Sequence, residues 1–412
     1  MIRRINTLKD VVDWGLCTGC GACYYGCAKA GVTLVNVEGV GIRPRFDLPQ
    51  CASCTGCLSI CPGYQVEAEL AAGPLAKKSE GDHSFGPALE IWEGHACDPE
   101  IRFRASSGGI LSALALYCLE REKMGFVLHT AMDESKPWTN KTVQSTTRSE
   151  ILARTGSRYA PASPCEGLRA IEESERPCVF IGKPCDATAV SMLRKERPAL
   201  DQKLGLVLTF FCAGTPSTRG TLDLLKSLEV APEETKALRY RGEGWPGRFK
   251  VLSGNPGKEK SLSYAEAWGQ LISYRPWRCH LCPDVGRVAD ISCGDAWHEA
   301  DDDRDVGRSI VLVRTPRGQE ILHRAIAAKY VELKPSGQAQ VFAAQPNLLE
   351  RRSEIVGRLL VMRLLFVPTP RLIGFSLFRG WIRLPLFKKI RTVARTVGHF
   401  LRRGRCRRQP VF

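Results

Sequence analysis

Apolar runs alternate with amphipathic stretches through the middle of this 412-residue chain, from about residue 83 to residue 345. Short apolar runs predict buried strands, and stretches with apolar residues three and four positions apart predict helices. The predicted strands are 125–132, 177–182, 204–211 and 309–314. The predicted helices are 108–122, 186–196, 217–228 and 317–329. Strands that alternate with helices in this way indicate an α/β body.

Composition separates both ends of the chain from this body. Eight closely spaced cysteines lie before residue 70, and a segment rich in Gly, Ala and Lys follows them, as in flexible linkers. The residues past 346 are strongly basic. The predicted divisions are an amino-terminal module at 1–70, a linker at 71–82, two parts of the body at 83–165 and 166–345, and a tail at 346–412.

The tail contains one predicted amphipathic helix. Apolar side chains recur three or four positions apart, at Leu386, Ile390, Val393, Val397 and Phe400. The basic side chains around them are Lys388, Lys389, Arg391, Arg395, Arg402 and Arg403. Such a helix fits an anionic membrane surface, an acidic protein partner or the protein's own body, and the sequence leaves these three alternatives open. Arginine and proline residues interrupt every apolar run before it is long enough to span a bilayer.

The net charge of +16 belongs to the tail. Fourteen Lys and Arg and no Asp or Glu lie between Arg358 and Phe412, so residues 1–357 carry a net charge of only +2. A nearly neutral body argues against nucleic-acid binding and indicates that the basic tail serves for local attachment.

The first residues show no apolar run of a secretory signal, so the eighteen cysteines are expected to bind metal in a reducing cytoplasm. If the tail binds lipid, the protein is peripheral on the inner membrane face.

Cysteines near the amino terminus form two copies of one motif, Cys-x2-Cys-x2-Cys-x3-Cys. This spacing is typical of bacterial proteins with two [4Fe–4S] clusters, in which the fourth cysteine of each copy binds the other cluster. Gly19, Gly21 and Gly56 permit the tight turns between ligands. Zinc sites use cysteine pairs separated by a dozen or more residues, which this motif lacks. The predicted ligand sets are Cys17, Cys20, Cys23 and Cys61 for one cluster and Cys51, Cys54, Cys57 and Cys27 for the other.

Four further cysteines could form a second kind of site: Cys185, Cys212, Cys279 and Cys282. Cys185 and Cys212 each follow a predicted strand, and the carboxyl ends of parallel strands meet at the edge where open α/β folds bind ligands. A third [4Fe–4S] cluster is one interpretation, and zinc, a dithiol or apolar packing are the alternatives. Core packing is expected for the remaining cysteines, which are Cys97, Cys118, Cys165, Cys178, Cys293 and Cys406.

Six segments of the body occur in the order found in one known family. They are 106–114 (SSGGILSAL), 155–159 (TGSRY), 182–185 (GKPC), 211–217 (FCAGTPS), 279–284 (CHLCPD) and 289–297 (ADISCGDAW). The sequence therefore resembles the coenzyme F420 hydrogenase/dehydrogenase beta-subunit family, which includes plant 7-hydroxymethyl chlorophyll a reductase and ferredoxin-dependent divinyl chlorophyllide vinyl reductase. The resemblance covers about residues 95–320, and the cysteine-rich module precedes it as in many members.

The resemblance implies a bound FAD and a [4Fe–4S] cluster beside it, with Cys185, Cys212, Cys279 and Cys282 as ligands. The flavin contacts that it implies are Ser106, Ser107, Gly108, Gly109, Gly156, Ser157, Tyr159, Gly182, Lys183 and Asp295. The first four also open a predicted helix, where unpaired N–H groups can receive a pyrophosphate, although a plain N-cap at Ser106 or Ser107 is the alternative. The chain departs from the family where Thr, Gln and Lys are usual, namely at Lys183, Asp186 and Arg158.

These patterns together predict an α+β ferredoxin-like amino-terminal module joined to an α/β flavin-binding body, with a basic helical tail. The expected protein is an iron–sulfur flavoprotein oxidoreductase that passes electrons between a ferredoxin-type carrier and an organic substrate. Candidate proton donors are Lys183, Asp186, Tyr159 and His129, each of which is also open to a structural role. A non-catalytic electron-transfer subunit beside another redox subunit is the main alternative, and a membrane-surface protein with structural clusters is a third.

Overall fold

The computed structural model describes residues 4–27, 31–52, 54–68, 83–254, 257–299 and 306–412, and the predicted linker 71–82 lies outside them. The strands of the described residues are β1 (Val32–Val37), β2 (Gly41–Phe46), β3 (Gln65–Glu67), β4 (Glu90–Ala96), β5 (Val127–Met132), β6 (Asn140–Ser145), β7 (Cys178–Gly182), β8 (Leu204–Phe210), β9 (Thr235–Arg239), β10 (Arg248–Ser253), β11 (Lys258–Ser263), β12 (Ile291–Asp295), β13 (Ser309–Val313), β14 (Val331–Pro335) and β15 (Arg371–Ile373). The helices are α1 (Leu8–Asp13), α2 (Ala22–Gly26), α3 (Pro99–Arg104), α4 (Ile110–Glu120), α5 (Arg148–Ala153), α6 (Leu168–Glu172), α7 (Pro184–Glu196), α8 (Pro198–Lys203), α9 (Thr218–Ser227), α10 (Tyr264–Leu271), α11 (Trp277–His280), α12 (Pro316–Ala327), α13 (Gln338–Ala344), α14 (Pro346–Ser353), α15 (Ile355–Leu364), α16 (Leu377–Arg383) and α17 (Leu386–Arg402).

An eight-stranded sheet forms the centre of the body, in the order β14-β4-β13-β12-β8-β7-β5-β6. Strands β12, β8, β7 and β5 run parallel, and the others pair with their neighbours in antiparallel fashion. The four predicted strands all belong to this sheet, so the α/β expectation is met, but the sheet is mixed. Strand β6 follows β5 after a short turn, and a short turn can join only antiparallel neighbours.

Helices cover both faces of the sheet, because successive strand residues point to opposite sides. On β8, Leu206 and Leu208 pack in one apolar cluster with residues of α4 and α12. The alternate residue Val207 packs in a second cluster with residues of α6, α7 and α8. A sheet buried on both faces in this way leaves the ends of its strands as the accessible place for a site.

The amino-terminal module combines short helices with the antiparallel hairpin β1–β2. Helix α1 begins with a capping box, in which the Thr7 hydroxyl accepts the Asp10 N–H (3.2 Å) and the Asp10 carboxylate accepts the Thr7 N–H (3.0 Å). Strand β3 pairs in parallel with β15 of the tail. The two ends of the chain therefore build one structure.

A smaller antiparallel sheet, β11-β10-β9, lies beside the main one. Tyr240 and Phe249 are its largest fully buried side chains, and they pack with Leu224 of α9 and Leu271 of α10. This unit carries the residues that approach the main sheet from the side of β12, as described below.

The tail folds onto the module and the body. Helix α17 buries Thr392, Thr396 and Phe400, and the Phe400 ring meets Trp277 edge-on at 5.0 Å. Of the predicted apolar stripe, only Phe400 is buried, whereas Leu386, Ile390 and Val393 are exposed. Among the described residues, none of the helices is long and apolar enough to cross a membrane.

Candidate functional site

Four thiols lie close together at the start of the chain, and we call Cys17, Cys20, Cys23 and Cys61 group one. Burial raises the pKa of Cys23 well above its ordinary value, and the negative charges of Cys17, Cys20 and Cys61 raise it further. The Gly19 N–H donates to the Cys17 sulfur at 3.4 Å, in a turn where Gly19 and Gly21 have φ of 72° and 87°. A left-handed turn of this kind favours glycine, so the local sequence explains how the sulfurs converge.

The other four cysteines of the module, Cys27, Cys51, Cys54 and Cys57, form group two. Burial raises the pKa of Cys57 to about 11, with further contributions from Cys27, Cys54 and Cys51. Cys54 is the exposed member. The charge of Cys57 also raises the pKa of Cys23, so the two groups influence each other electrostatically. The electrostatic contributions to Cys23 and Cys57 come largely from within the two sets of four that the paired motif predicts, while the exchange of Cys61 and Cys27 as cluster ligands stays a prediction.

A third set, group three, lies at the edge where parallel strands end. Cys185 follows β7, Cys212 follows β8, and Cys279 and Cys282 come from α11 and the turn after it. Burial raises the pKa of Cys212 to about 12, and the charges of Cys279 and Cys282 add to this effect. The Gly214 N–H donates to the Cys212 sulfur at 3.3 Å.

Thiols that lie close together are difficult to ionise, because each thiolate raises the pKa of the next, and nearby cations offset this effect. The irons of a bound cluster would supply this positive charge. Backbone N–H groups that donate to the sulfurs, as at Cys17 and Cys212, stabilise thiolate ligands. Across the part of the chain that the structure describes, no three His, Cys, Asp or Glu side chains stand close enough to share one metal ion. Cysteine thiolates are the usual ligands of [4Fe–4S] clusters, so the donor chemistry of the three groups fits the predicted cofactors, and the ligand assignment stays a prediction.

Arginines that no sequence motif indicates surround group three. The Arg351 guanidinium donates to the Cys212 carbonyl oxygen at 2.8 Å, and Arg275 donates to the Ala213 carbonyl oxygen at 2.7 Å. Arg278 and Arg351 both lower the pKa of Cys282, against the larger effect of burial. A positive environment stabilises thiolates and an anionic cluster. Only Arg278 and Arg275 lie near a cysteine in sequence, so spacing gave no signal for Arg351.

Cys165 connects group one to group three. Its N–H donates to the Cys20 carbonyl oxygen at 3.1 Å, and contact with its thiol lowers the pKa of Cys20. The Cys165 thiol also lies 3.6 Å from the carbonyl oxygen of Asp186, next to Cys185. A second link is the hydrogen bond from Arg278 to the Pro62 carbonyl oxygen at 2.8 Å. The sequence alone predicts only core packing for Cys165, which its complete burial also fits.

Lys183 and Asp186 form a buried ion pair beside group three, with Nζ and Oδ2 2.7 Å apart. The Asp186 carboxylate also accepts the Lys183 N–H at 2.8 Å at the start of α7. Although burial alone would lower the pKa of Lys183, the charges of Asp186 and Cys185 raise it above its ordinary value. Both side chains are therefore already engaged with each other rather than free to face a substrate.

The predicted flavin residues at Ser106–Gly109 meet the end of β12. Ser309, the residue opposite Asp295 in the β12–β13 ladder, accepts the Gly108 N–H at 3.0 Å and lies 2.9 Å from the Ser107 hydroxyl. Gly156 and Ser157 join them, because the Ser157 N–H donates to the Ser106 hydroxyl at 2.6 Å. Gly182 is instead the last residue of β7, and Lys183 follows it beside group three.

Helix α4 begins at Ile110, with Gly109 at φ 80° as its N-cap. The alternative of a plain N-cap at Ser106 or Ser107 is therefore wrong, because their hydroxyls bind Ser157 and the Arg308 and Ser309 region instead. Gly109 has no side chain with which to cap the first N–H groups of α4. The end of the helix is thus suited to an anionic group, and a Cβ at Gly108 would lie 2.5 Å from the Gly94 carbonyl oxygen.

Asp295 takes part in a charged and aromatic cluster that the sequence did not reveal. Arg241 is almost completely buried and binds both Asp295 oxygens, at 2.8 and 3.1 Å. Its guanidinium lies over the rings of Tyr264 (4.7 Å) and Trp297 (5.2 Å). The Tyr159 hydroxyl lies 3.5 Å from Arg241. Tyr159 and Asp295 are therefore brought together through Arg241.

His129 lies apart, on β5, where its Nε2 is 2.7 Å from the Ser145 hydroxyl of β6. Burial lowers the pKa of His129 to about 4, and the nearby Arg154 lowers it further. The four proton-donor candidates thus fall into three places: Lys183 with Asp186, Tyr159 with Arg241, and His129 with Ser145.

Arg158, the third departure from the family pattern, has a scaffolding position. Its guanidinium donates to Asn140 and to the carbonyl oxygens of Pro137, Thr139 and Leu238.

The prediction of core packing is correct for the buried cysteines Cys118, Cys165, Cys178 and Cys293. It is wrong for Cys97, which is exposed just after β4, and Cys406 is only half-buried.

Sequence comparison gives a coherent result. Residues 91–169 match the family described as coenzyme F420 hydrogenase/dehydrogenase, beta subunit N-term, and residues 176–338 match the corresponding C terminus. The chain is 27% identical over 266 residues to coenzyme F420 hydrogenase subunit beta of Methanosarcina barkeri, across 62% of this chain and 84% of that protein. It is 23% identical over 362 residues to an F(420)H(2) dehydrogenase subunit of Methanosarcina mazei, across 81% of this chain and 94% of that protein.

A solved structure shares the fold. A chain of the F420-reducing [NiFe] hydrogenase complex from Methanosarcina barkeri superposes with a TM-score of 0.50 at 24% identity. The superposition covers 67% of this chain and 96% of that chain.

Proposed function

Because the chain belongs to the coenzyme F420 hydrogenase/dehydrogenase beta-subunit family, we propose that it is an iron–sulfur flavoprotein oxidoreductase. It passes electrons between a ferredoxin-type carrier and an organic substrate. The named relatives are subunits of a hydrogenase and of a dehydrogenase, which supports a redox role.

The observation that supports the proposal is the succession of three four-cysteine groups from the module to the edge of the main sheet. Cys54 of group two is exposed, the charge of Cys57 in group two raises the pKa of Cys23 in group one, and Cys165 joins group one to group three. Bound clusters would supply one-electron transfer and FAD would supply the conversion to two-electron chemistry. The exposed Cys54 of group two and the partly buried thiols of group three at the sheet edge would form the two ends of such a path.

Residues at the edge of the sheet would hold the flavin beside group three. The N-terminus of α4, which no side chain caps, and the close backbone packing at Gly108 suit its pyrophosphate. This site shares one sheet edge with Cys212, because β12 and β8 are parallel neighbours. Tyr159 is the proton donor that this arrangement favours, since Arg241 and Asp295 hold its hydroxyl near that edge. Lys183 and Asp186 are assigned to the electrostatics of group three instead.

The alternative is a non-catalytic subunit that hands electrons to a separate enzyme. The names of the relatives favour this alternative as well, since both are called subunits. Purified protein that oxidises or reduces no small organic acceptor, yet transfers electrons to a second subunit, would replace the first proposal with this one.

Anaerobic measurement of iron, acid-labile sulfide and flavin tests the proposal. Three [4Fe–4S] clusters and one FAD predict about twelve irons per chain. The double variant Cys279→Ala with Cys282→Ala should lose about four irons and its flavin should no longer be reduced through the module. The control is Cys118→Ala with Cys178→Ala, two buried cysteines outside the groups, which should keep all the iron. An iron content of about eight in the unchanged protein would remove group three from the proposal.

A further inference from the structure

Large apolar side chains are exposed on the last three helices. Of the sixteen large apolar side chains that are exposed among the described residues, twelve lie between Leu360 and Phe412. They occur on α15 (Leu360, Leu364), α16 (Phe378, Ile382) and α17 (Leu386, Phe387, Ile390, Val393, Leu401), with Phe366, Ile373 and Phe412 outside the helices. A concentration of this kind marks a surface that contacts something apolar.

Helix α17 uses one face to dock and leaves another uncovered. Its docked face consists of Thr392, Thr396 and Phe400, which recur every four residues. The positions Leu386, Ile390, Val393, Val397 and Leu401 form the neighbouring face, and all but the half-buried Val397 are exposed. At 17 residues the helix offers this face over about 25 Å. Packing against the body therefore does not account for the apolar stripe.

Basic side chains border the uncovered face. The exposed arginines of this region include Arg363, Arg379, Arg395, Arg402 and Arg403. Glu350 and Glu354 of α14 and its C-terminus pair with Lys388, Arg391 and Arg358, but from Arg358 onward the chain contains no acid. The surface therefore combines apolar area with positive charge.

We propose that α15, α16 and α17 seat the protein on an anionic lipid bilayer. The apolar side chains enter the boundary between headgroups and acyl chains, and the bordering arginines contact lipid phosphates. An amphipathic helix with Phe and Leu on one face and arginines beside them is the pattern of interfacial helices. The contact is at the surface, since no described helix could span the bilayer. This inference does not depend on the proposed redox chemistry.

Sedimentation of the full-length, cluster-loaded protein with lipid vesicles tests the proposal. We expect binding to vesicles of phosphatidylcholine with phosphatidylglycerol, and weaker binding to phosphatidylcholine alone or at high salt. The variant Leu386→Glu with Ile390→Glu, at positions 72% and 60% exposed, should lose at least about tenfold in vesicle affinity. Its far-UV circular dichroism and iron content should match the parent protein, because neither side chain is buried.

A matched control adds the same two charges elsewhere. Leu252 and Ile272 are also exposed, at 40% and 38%, and Leu252→Glu with Ile272→Glu should keep vesicle affinity within about twofold. Failure of the parent protein to sediment with anionic vesicles would overturn the proposal, as would equal losses in both double variants. Stable binding of an acidic redox subunit that the tail variant abolishes, with vesicle binding unchanged, would assign the surface to a protein instead.

Discussion

Lys183 shows how much a single residue contributes beside group three. Its ammonium is one half of an ion pair whose partner, Asp186, is fully buried. Two charges that are removed from water stabilise the fold only as long as both are present. The departure of this chain from the usual family residues at positions 183 and 186 is therefore a paired departure, in which each residue requires the other.

Lys183→Met should lower the free energy of unfolding by about 3–5 kcal/mol, because it leaves the Asp186 carboxylate buried without a cation. Anaerobic urea denaturation measures the loss. Lys195→Met, the same change at an exposed position of α7, should cost less than about 0.5 kcal/mol. The double variant Lys183→Met with Asp186→Asn should recover most of the loss, and equal costs for Lys183→Met and Lys195→Met would contradict the ion-pair role.

His129 should make the fold less stable as the pH falls. Its pKa is about 4 in the folded protein and 6.5 otherwise, so below pH 6.5 the unfolded chain binds a proton that the folded chain excludes. Stability is complete above pH 6.5 and is lost progressively toward pH 4. Between pH 7 and pH 5 the loss should be about 2 kcal/mol.

The comparison of parent and His129→Gln proteins isolates this effect, since His280 and His399 also have lowered pKa values. The variant should show a shallower fall in unfolding free energy with pH than the parent protein. Identical slopes for parent and His129→Gln would show that His129 does not titrate as its burial requires.

At the scale of elements, the start of α4 is the part most open to test. Gly108→Ala places a Cβ 2.5 Å from the Gly94 carbonyl oxygen and 3.0 Å from the Ser309 hydroxyl, so the loop before α4 must shift. Overpacking of this kind costs about 1–3 kcal/mol, and flavin affinity should fall about tenfold while iron content is unchanged. Flavin titration of the cluster-loaded protein measures this. Gly269→Ala on α10, where a Cβ meets nothing, should bind flavin normally, and normal binding by both variants would place the cofactor elsewhere.

Local patterns predicted most elements to within a few residues. The predicted strand 177–182 is Cys178–Gly182, and the predicted helix 317–329 is Pro316–Ala327. The start of α4 was missed, because Ser106 and Ser107 are better N-caps than glycine in isolation. Their hydroxyls are occupied by residues about 50 and 200 positions away, at Ser157 and Ser309, and no local preference contains that information.

Across the whole molecule, sequence spacing is informative only where a site is local. The paired motif is enough to predict ligand sets for groups one and two, since three of each four cysteines come from one short loop. Group three draws on three distant segments, so spacing alone left a cluster, zinc, a dithiol and apolar packing as alternatives, and only the family resemblance favoured a cluster. Arg241 and Arg351 have no local motif, so their roles beside Asp295 and Cys212 could be found only from contacts.

The pairing of β3 with β15 has a consequence for how the protein is made. About 300 residues separate Glu67 from Arg371, and at ribosomal speed their synthesis takes roughly 15–60 s. Phe400, packed in the same apolar cluster as Leu8 and Leu16, emerges later still. The first part of the polypeptide to leave the ribosome is thus among the last to complete its folding. Iron delivered before translation ends would encounter an incompletely folded cysteine-rich module.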